Sequence, residues 1–176
     1  MFDIEAKFQD IISELQKGNR PLFKMSDEEL SSFQEQFIQI IEKKDIEGIR
    51  QCLCLLDHNQ NYGEKWKEIL IQVIQLENDE LTILALGTSH RHIIDYSQRQ
   101  GNRIKFDFLK LLEDLLETKN PEVFEWNLRT IEALGGQSAF FKQKVLASRP
   151  GFLKGLQKKW KNSVELIKFL ENKWNV

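Results

Sequence analysis

The sequence predicts an all-α fold: a right-handed stack of antiparallel helix pairs with about eight or nine helices. Three observations support this prediction. Apolar residues recur three and four positions apart through most of the 176-residue chain. Helix start and stop signals lie between these apolar segments. Three stretches also share one order of features: an aromatic start, a helix, a polar break and a second apolar helix.

The clearest pair spans residues 104–136 and is divided by a polar break at Asn120. Asn120 suits the N-cap of a helix, and Pro121 suits the first helical position, where its missing N–H is no loss. Gly135 and Gly136 can adopt the left-handed conformation that ends a helix. These signals predict two helices folded back on each other.

The preceding residues predict further helices. An amphipathic helix over 3–17 ends at Gly18. Ser26 and Glu29 have the spacing of a capping box and so predict the start of a second helix. That helix breaks near Lys44 and a partner helix follows, forming a helix pair.

A third helix pair covers 64–87, and we expect Gly87 to stop or kink it. The next segment, 88–103, is long and polar for a connector. After the 104–136 pair, residues 138–147 and 152–174 predict shorter helices. The first and last helices would cover the two ends of the stack.

The helix pairs recur at irregular intervals. Counted from their aromatic starts at Phe33, Trp66 and Phe108, the pairs are 33 and 42 residues apart, and a shortened fourth copy begins 44 residues later at Phe152. Periods of this size are typical of repeat proteins built from paired helices.

Two of these copies resemble the second half of HEAT or armadillo-like repeats, in which an Asp or Asn, and often a Pro, precedes a helix with an early Val or Ile-Arg pair. The segments are KDIEGIRQCLCLL and KNPEVFEWNLRTIEALG. The matching residues are Asp45, Ile49, Arg50, Asn120 and Pro121. In the later copy the arginine is displaced to Arg129, and the middle copy has none. The resemblance covers about residues 30–136 and implies a HEAT-like α-solenoid that binds other macromolecules on one face.

Composition is that of an ordinary globular protein, with 41% hydrophobic and 30% charged residues. The length predicts a single domain over 1–176.

The first ten residues lack the basic start and apolar run of a signal peptide, and no apolar run is long enough for a membrane span. Cys52 and Cys54 would point to nearly opposite sides of a helix, so we expect no disulfide and a cytoplasmic location.

Charge is distributed unevenly although the net charge is −2. Residues 1–141 hold 16 Lys and Arg against 25 Asp and Glu, whereas residues 142–176 hold 9 against 2. The chain is thus an acidic body with a basic C-terminal end.

The densest polar cluster lies in the 88–105 segment and predicts a recognition surface for an acidic or phosphorylated protein partner. Its members are His90, Arg91, His92, Asp95, Arg99 and Arg103. Alternatively, Arg91 and Asp95 form a helix ion pair and the histidines are solvated. Two histidines without HExxH spacing do not make a metal site. A weaker hypothesis is an enzyme centred on His90, His92 and Asp95.

Trp126 and Arg129 stand three residues apart, and a Trp beside a cation is a common binding hot spot. We place them at the edge of the same partner-binding face. The alternative is that Trp126 belongs to the core and covers the next helix pair.

The basic end alternates lysines with Phe152, Leu153 and Trp160, a pattern that suits phosphate contact and base stacking. Its candidate residues are Lys154, Lys158, Lys159 and Lys161. The same segment would also suit packing against an acidic protein surface, including this protein's own body, or a solvated end helix with its aromatic residues turned inward.

The sequence contains no phosphate-binding loop and no nucleophile elbow, and its carboxylates are spaced as on a solvated helix face. We therefore predict a non-enzymatic interaction module or scaffold without cofactor or metal, which binds a protein partner through one face of its helical stack. The alternative is a nucleic-acid-binding protein that uses the basic end.

Overall fold

The computed structural model describes residues 2–155 and 157–175, and for Phe152 and Lys154 it describes the backbone alone. Within this part of the chain the regular elements are helices, and an isolated bridge joins Phe23 to Asn59. This confirms the prediction of an all-α protein. No helix in these residues is both long and apolar enough to cross a membrane.

Internal contacts divide the chain into two compact units, Met1–Thr88 and Ser89–Val176. The single domain and the right-handed stack remain predictions. The helices of the first unit are α1 (Ile4–Gln16), α2 (Asp27–Glu42), α3 (Ile46–His58), α4 (Lys65–Ile74) and α5 (Asp79–Ser89), the last of which ends one residue beyond the unit.

In the first unit, the core is organised around the fully buried ring of Phe33 on α2. The rings of Phe2, Phe37 and Trp66 lie 5.3, 5.9 and 5.8 Å from it, centroid to centroid. Such tilted aromatic pairs add to the free energy gained by burying their surface. This cluster joins α2 to α4, while α3 packs against both α1 and α2.

Helix starts in the first unit follow the predicted capping signals. The Ser26 hydroxyl accepts the N–H of Glu29, and the Glu29 carboxylate accepts the N–H of Ser26. The break before α3 contains Lys44 with a φ of 54°, and Asp45 then caps the helix. The sequence prediction is therefore confirmed here at the level of individual hydrogen bonds.

The segment predicted as a connector is largely helical. α5 continues through Gly87 to Ser89, a π-helix follows at His90–Asp95, and α6 occupies Tyr96–Arg99. Of the two outcomes expected at Gly87, a stop or a kink, the stop is wrong, because a glycine costs only about 1 kcal/mol inside a helix.

The remaining helices of the second unit are α7 (Phe106–Leu115), α8 (Pro121–Ala133), a 3₁₀-helix (Gly135–Phe141), α9 (Lys142–Ala147), α10 (Phe152–Gly155), a second 3₁₀-helix (Lys158–Trp160) and α11 (Lys161–Trp174). α8 lies at the centre and contacts α7, α11, the π-helix and both 3₁₀-helices. The predicted pair over 104–136 is present, with Asn120 as N-cap, Pro121 as first helical residue and Gly135 at a φ of 60°.

The helix predicted over 152–174 is interrupted before α11. Gln157 has an extended backbone, and a short 3₁₀-helix then turns Trp160 inward, where its ring lies 5.6 Å from that of Phe124. Burial of this large ring explains the interruption, because a straight helix would carry the indole elsewhere. Leu156 lies outside the described residues.

Candidate functional site

The two histidines of the predicted cluster face inward. Nε2 of His90 lies 3.2 Å from the hydroxyl oxygen of Thr130, and that hydroxyl donates to the carbonyl of Trp126 at 2.9 Å. Since the single hydroxyl proton goes to Trp126, His90 must donate from Nε2. His92 is fully buried. Both rings therefore support the fold of the second unit, and the sequence placement of His92 on a solvated surface is wrong.

The environment of His90 favours its neutral form. Burial lowers the pKa of this imidazole, and the positive charge of Arg129 acts in the same direction. The negative charges of Asp95 and Glu132 oppose these effects without cancelling them. A neutral imidazole is consistent with a hydrogen-bonded structural role.

Among the described residues, these histidines are not grouped with further metal-binding side chains. Across residues 2–155 and 157–175, no group of three or more His, Cys, Asp or Glu side chains is placed to hold a metal ion. Burial also raises the pKa of Cys52 to about 12 and raises that of Cys54, so both thiols stay protonated near neutral pH.

Trp126 and Arg129 are engaged within the protein. Trp126 is partly buried, and the guanidinium of Arg129 lies 2.7 Å from the carboxylate of Glu125 on the same helix. Glu125 also accepts a hydrogen bond at 3.1 Å from Asn162 of α11. This arrangement ties α8 to α11, and it leaves Arg129 with its charge already matched.

Arg99 and Arg103 differ from the arginines that form ion pairs. Ion pairs join Arg20, Arg50 and Arg149 to Asp57, Glu80 and Glu171. Arg99 and Arg103 are exposed, and no carboxylate in the described part of the chain lies within 4.0 Å of either guanidinium. These two members of the predicted cluster are therefore available to a ligand.

Arg103 lines a groove of about 800 Å³ in the second unit, which we call the Arg103 groove. Its walls combine residues from α6 and the segment after it, from α7, and from the end of α8 and the 3₁₀-helix that follows. The lining residues are Gln98, Arg103, Leu109, Leu134, Gly135, Gly136, Gln137 and Phe140. Arg103 is the one charged side chain in this set.

Two glutamines hold the walls of the Arg103 groove together. The side-chain amide of Gln137 bonds to the backbone of Ile104 twice: Oε1 accepts its N–H at 2.8 Å, and Nε2 donates to its carbonyl at 3.2 Å. The backbone of a neighbouring β-strand would make the same two kinds of hydrogen bond. Gln98 donates to the carbonyl of Ala133 at 2.9 Å. These bonds fix the backbone on either side of Arg103, so the groove is formed before any ligand arrives.

An exposed aromatic pair adjoins the groove. Phe106 is 66% exposed and Phe140 is 48% exposed, and their rings meet edge to face at 6.0 Å. Sequence analysis missed both residues as site candidates. The available signal was their position: Phe106 lies off the apolar stripe that places Phe108 in the core.

The basic C-terminal end is divided between internal pairing and exposure. Lys144 and Lys173 form ion pairs with Glu117 and Glu132. Lys158, Lys159 and Lys161 are exposed, whereas the side chain of Lys154 lies outside the described residues. Trp160 is only 2% exposed, which agrees with the interpretation in which the aromatic residues turn inward and not with base stacking by this ring.

Comparisons with known proteins do not add to this geometry: no family model, curated protein or solved structure matches the chain.

Proposed function

We propose that this protein is a non-enzymatic interaction module that binds an acidic segment of a protein partner through the Arg103 groove. The observation that carries the proposal is that the exposed Arg103 lines one groove with Phe140, whose exposed ring meets that of Phe106.

The chemistry of these residues favours a carboxylate-bearing ligand. A guanidinium presents donors in a planar fork that matches a carboxylate, and arginine and aromatic residues are enriched among binding hot spots. Residues 96–106 contain three basic residues and no acidic one. An acidic partner would therefore meet a complementary charge at Arg103.

The helical framework supports the same proposal. Proteins that resemble HEAT repeats present grooves formed by packed helices and short connections, and we extend the proposal to a HEAT-like right-handed stack. A cytoplasmic location agrees with two buried or partly buried cysteines that form no disulfide.

Photo-crosslinking in the native host tests this proposal. A benzophenone amino acid replaces Phe140 in one protein and Phe169 in a matched control, because Phe169 is also an exposed phenylalanine of the second unit, with 54% exposure. We expect a protein adduct from position 140 that is absent from position 169. Arg103→Glu should abolish the adduct while leaving the thermal midpoint of unfolding unchanged.

Equal adducts at positions 140 and 169, or an adduct at 140 that persists with Arg103→Glu, would contradict the proposal. Either result would mean that the Arg103 groove does not determine partner binding.

A second candidate function is nucleic-acid binding by the basic end, which the exposure of Lys158, Lys159 and Lys161 favours. The burial of Trp160 removes one of its stacking groups. The test is binding of single-stranded DNA and RNA at several salt concentrations. The variant replaces four lysines by glutamate: Lys154→Glu, Lys158→Glu, Lys159→Glu and Lys161→Glu. Salt-sensitive binding that the variant loses would support this function.

A further inference from the structure

We infer that the ligand of the Arg103 groove is an extended acidic peptide segment, whose main chain passes Gly136 and whose large apolar side chain rests against Phe140. This inference rests on the proposed function and specifies the partner chemistry.

The two glycines of the groove wall differ in what the fold requires of them. Gly135 has a φ of 60°, in the left-handed region that glycine adopts more easily than residues with a Cβ, so its backbone alone accounts for a glycine there. Gly136 is exposed and lacks a left-handed φ, and a Cβ added to it would meet no atom within 4 Å. Packing therefore does not require a glycine at 136, whereas close approach by a ligand main chain would.

The groove offers separate places for a charge and for an apolar side chain. Arg103 supplies the cation, while Leu109 and Leu134 are buried beneath the groove and Phe140 forms an exposed edge. Phe106 extends that edge through its contact with Phe140. A ligand that fits must therefore carry both a carboxylate and an aromatic or large aliphatic side chain.

The shape of the groove favours a peptide over a small molecule. Its volume lies within the range of about 300–1,000 Å³ that ligand sites occupy. However, Gln98, Arg103 and Gly136 are exposed, so the groove is an open channel that would leave much of a small ligand in water. A peptide segment can lie along such a channel and remain attached to its protein at both ends.

Fluorescence anisotropy with the full chain tests this inference. The probes are fluorescein-labelled hexapeptides of Asp and Glu that carry one Phe or Leu at each position in turn. Companion sets replace the acidic residues by Lys, by Ser or by phosphoserine, or replace the apolar residue by Ser. We expect saturable binding by acidic probes that contain the apolar residue, and binding at least about tenfold weaker when either feature is missing.

Matched variants place the bound peptide on the groove. Gly136→Leu should weaken binding at least about tenfold, whereas Gly151→Leu, at another exposed glycine with no atom within 4 Å of an added Cβ, should not. Arg103→Glu should also weaken binding at least about tenfold. Lys158→Glu makes the same charge change at a residue that does not line the groove, and it should leave binding unchanged. Unchanged thermal midpoints would show that each variant is folded.

Three results would overturn the inference: no saturable binding by any acidic probe, binding by the phosphoserine set alone, or binding that Gly136→Leu leaves intact. If the Phe140 photo-crosslink still forms and still depends on Arg103, the proposed function survives and only the peptide chemistry fails. If the crosslink is also absent, both fail.

Discussion

At the scale of the residue, His90 gives the folded chain a dependence on pH. Its folded pKa lies below its ordinary value of 6.5 because burial disfavours the imidazolium, with Asp95, Glu132 and Arg129 as the neighbouring charges. Between the two pKa values the unfolded chain binds more protons than the folded chain. The contribution of His90 to the free energy of unfolding is therefore fully present above about pH 6.5 and falls as the pH drops below that value.

We expect His90→Gln to reduce this pH dependence, because glutamine still donates to Thr130 but does not titrate. On going from pH 7.5 to pH 5.5, wild type should lose more free energy of unfolding than the variant, as measured by urea denaturation at each pH. Equal losses in the two proteins would show that His90 keeps an ordinary pKa in the folded state.

The two adjacent glycines provide a second prediction at this scale. Gly135→Ala should lower the free energy of unfolding by about 1–2 kcal/mol, because a Cβ disfavours the left-handed conformation. Gly136→Ala should leave it unchanged or raise it slightly, since its added methyl group meets nothing. The comparison uses denaturant unfolding of both variants, and equal effects would contradict the backbone conformations described here.

Single residues of the candidate site were predictable only in part. The sequence singled out Arg99 and Arg103, because a dense cluster of polar and basic residues is visible in one dimension. It also singled out Arg129, whose partner Glu125 lies four residues earlier, and His92, which is buried. Distinguishing these cases requires knowing which carboxylates and which core residues the fold brings near.

At the scale of the element, helix starts were the most predictable feature, because caps depend on side chains within three residues of one another. Asn120 accepts the N–H groups of Glu122 and Val123 at 2.8 and 3.3 Å. Non-standard helices were not predictable. In the π-helix, three consecutive residues are buried, from His92 to Ile94, a pattern that differs from the single apolar stripe of an amphipathic α-helix.

The cap of α8 supports a prediction at this scale. Asn120→Ala should cost about 1 kcal/mol of stability, because it leaves two N–H groups of the first turn without their acceptor. Asn120→Asp is the matched control and should be close to neutral, since aspartate caps helices equally well. Chemical denaturation decides between them, and equal losses in both variants would assign the effect to something other than the cap.

At the scale of the whole molecule, ion pairs within the second unit neutralise part of the positive charge of the basic end. Lys144 pairs with Glu117 of the segment after α7, and Lys173 pairs with Glu132 of α8. Lys158 and Lys159 are exposed at the start of the second 3₁₀-helix and have no carboxylate within 4.0 Å among the residues the structure describes. The basic end therefore contains two kinds of lysine that net charge alone does not distinguish.

Charge reversal should separate the two kinds. Lys144→Glu with Lys173→Glu places like charges beside Glu117 and Glu132, whereas Lys158→Glu with Lys159→Glu makes the same change in net charge without opposing a carboxylate. Negative charges just before α11 also suit the positive N-terminal end of its dipole. We expect the first double variant to lower the urea midpoint and the second to leave it unchanged or raise it.

Salt provides the check on this mechanism, because exposed charges are screened as ionic strength rises. The difference between the two double variants should shrink between 0.05 and 0.5 M NaCl, concentrations that shorten the Debye length from roughly 14 to about 4 Å. A difference that persists at high salt would mean that the alkyl chains of Lys144 and Lys173 matter through packing. In that case apolar contact of these two alkyl chains, rather than their ion pairs with Glu117 and Glu132, would account for the stability that the first double variant loses.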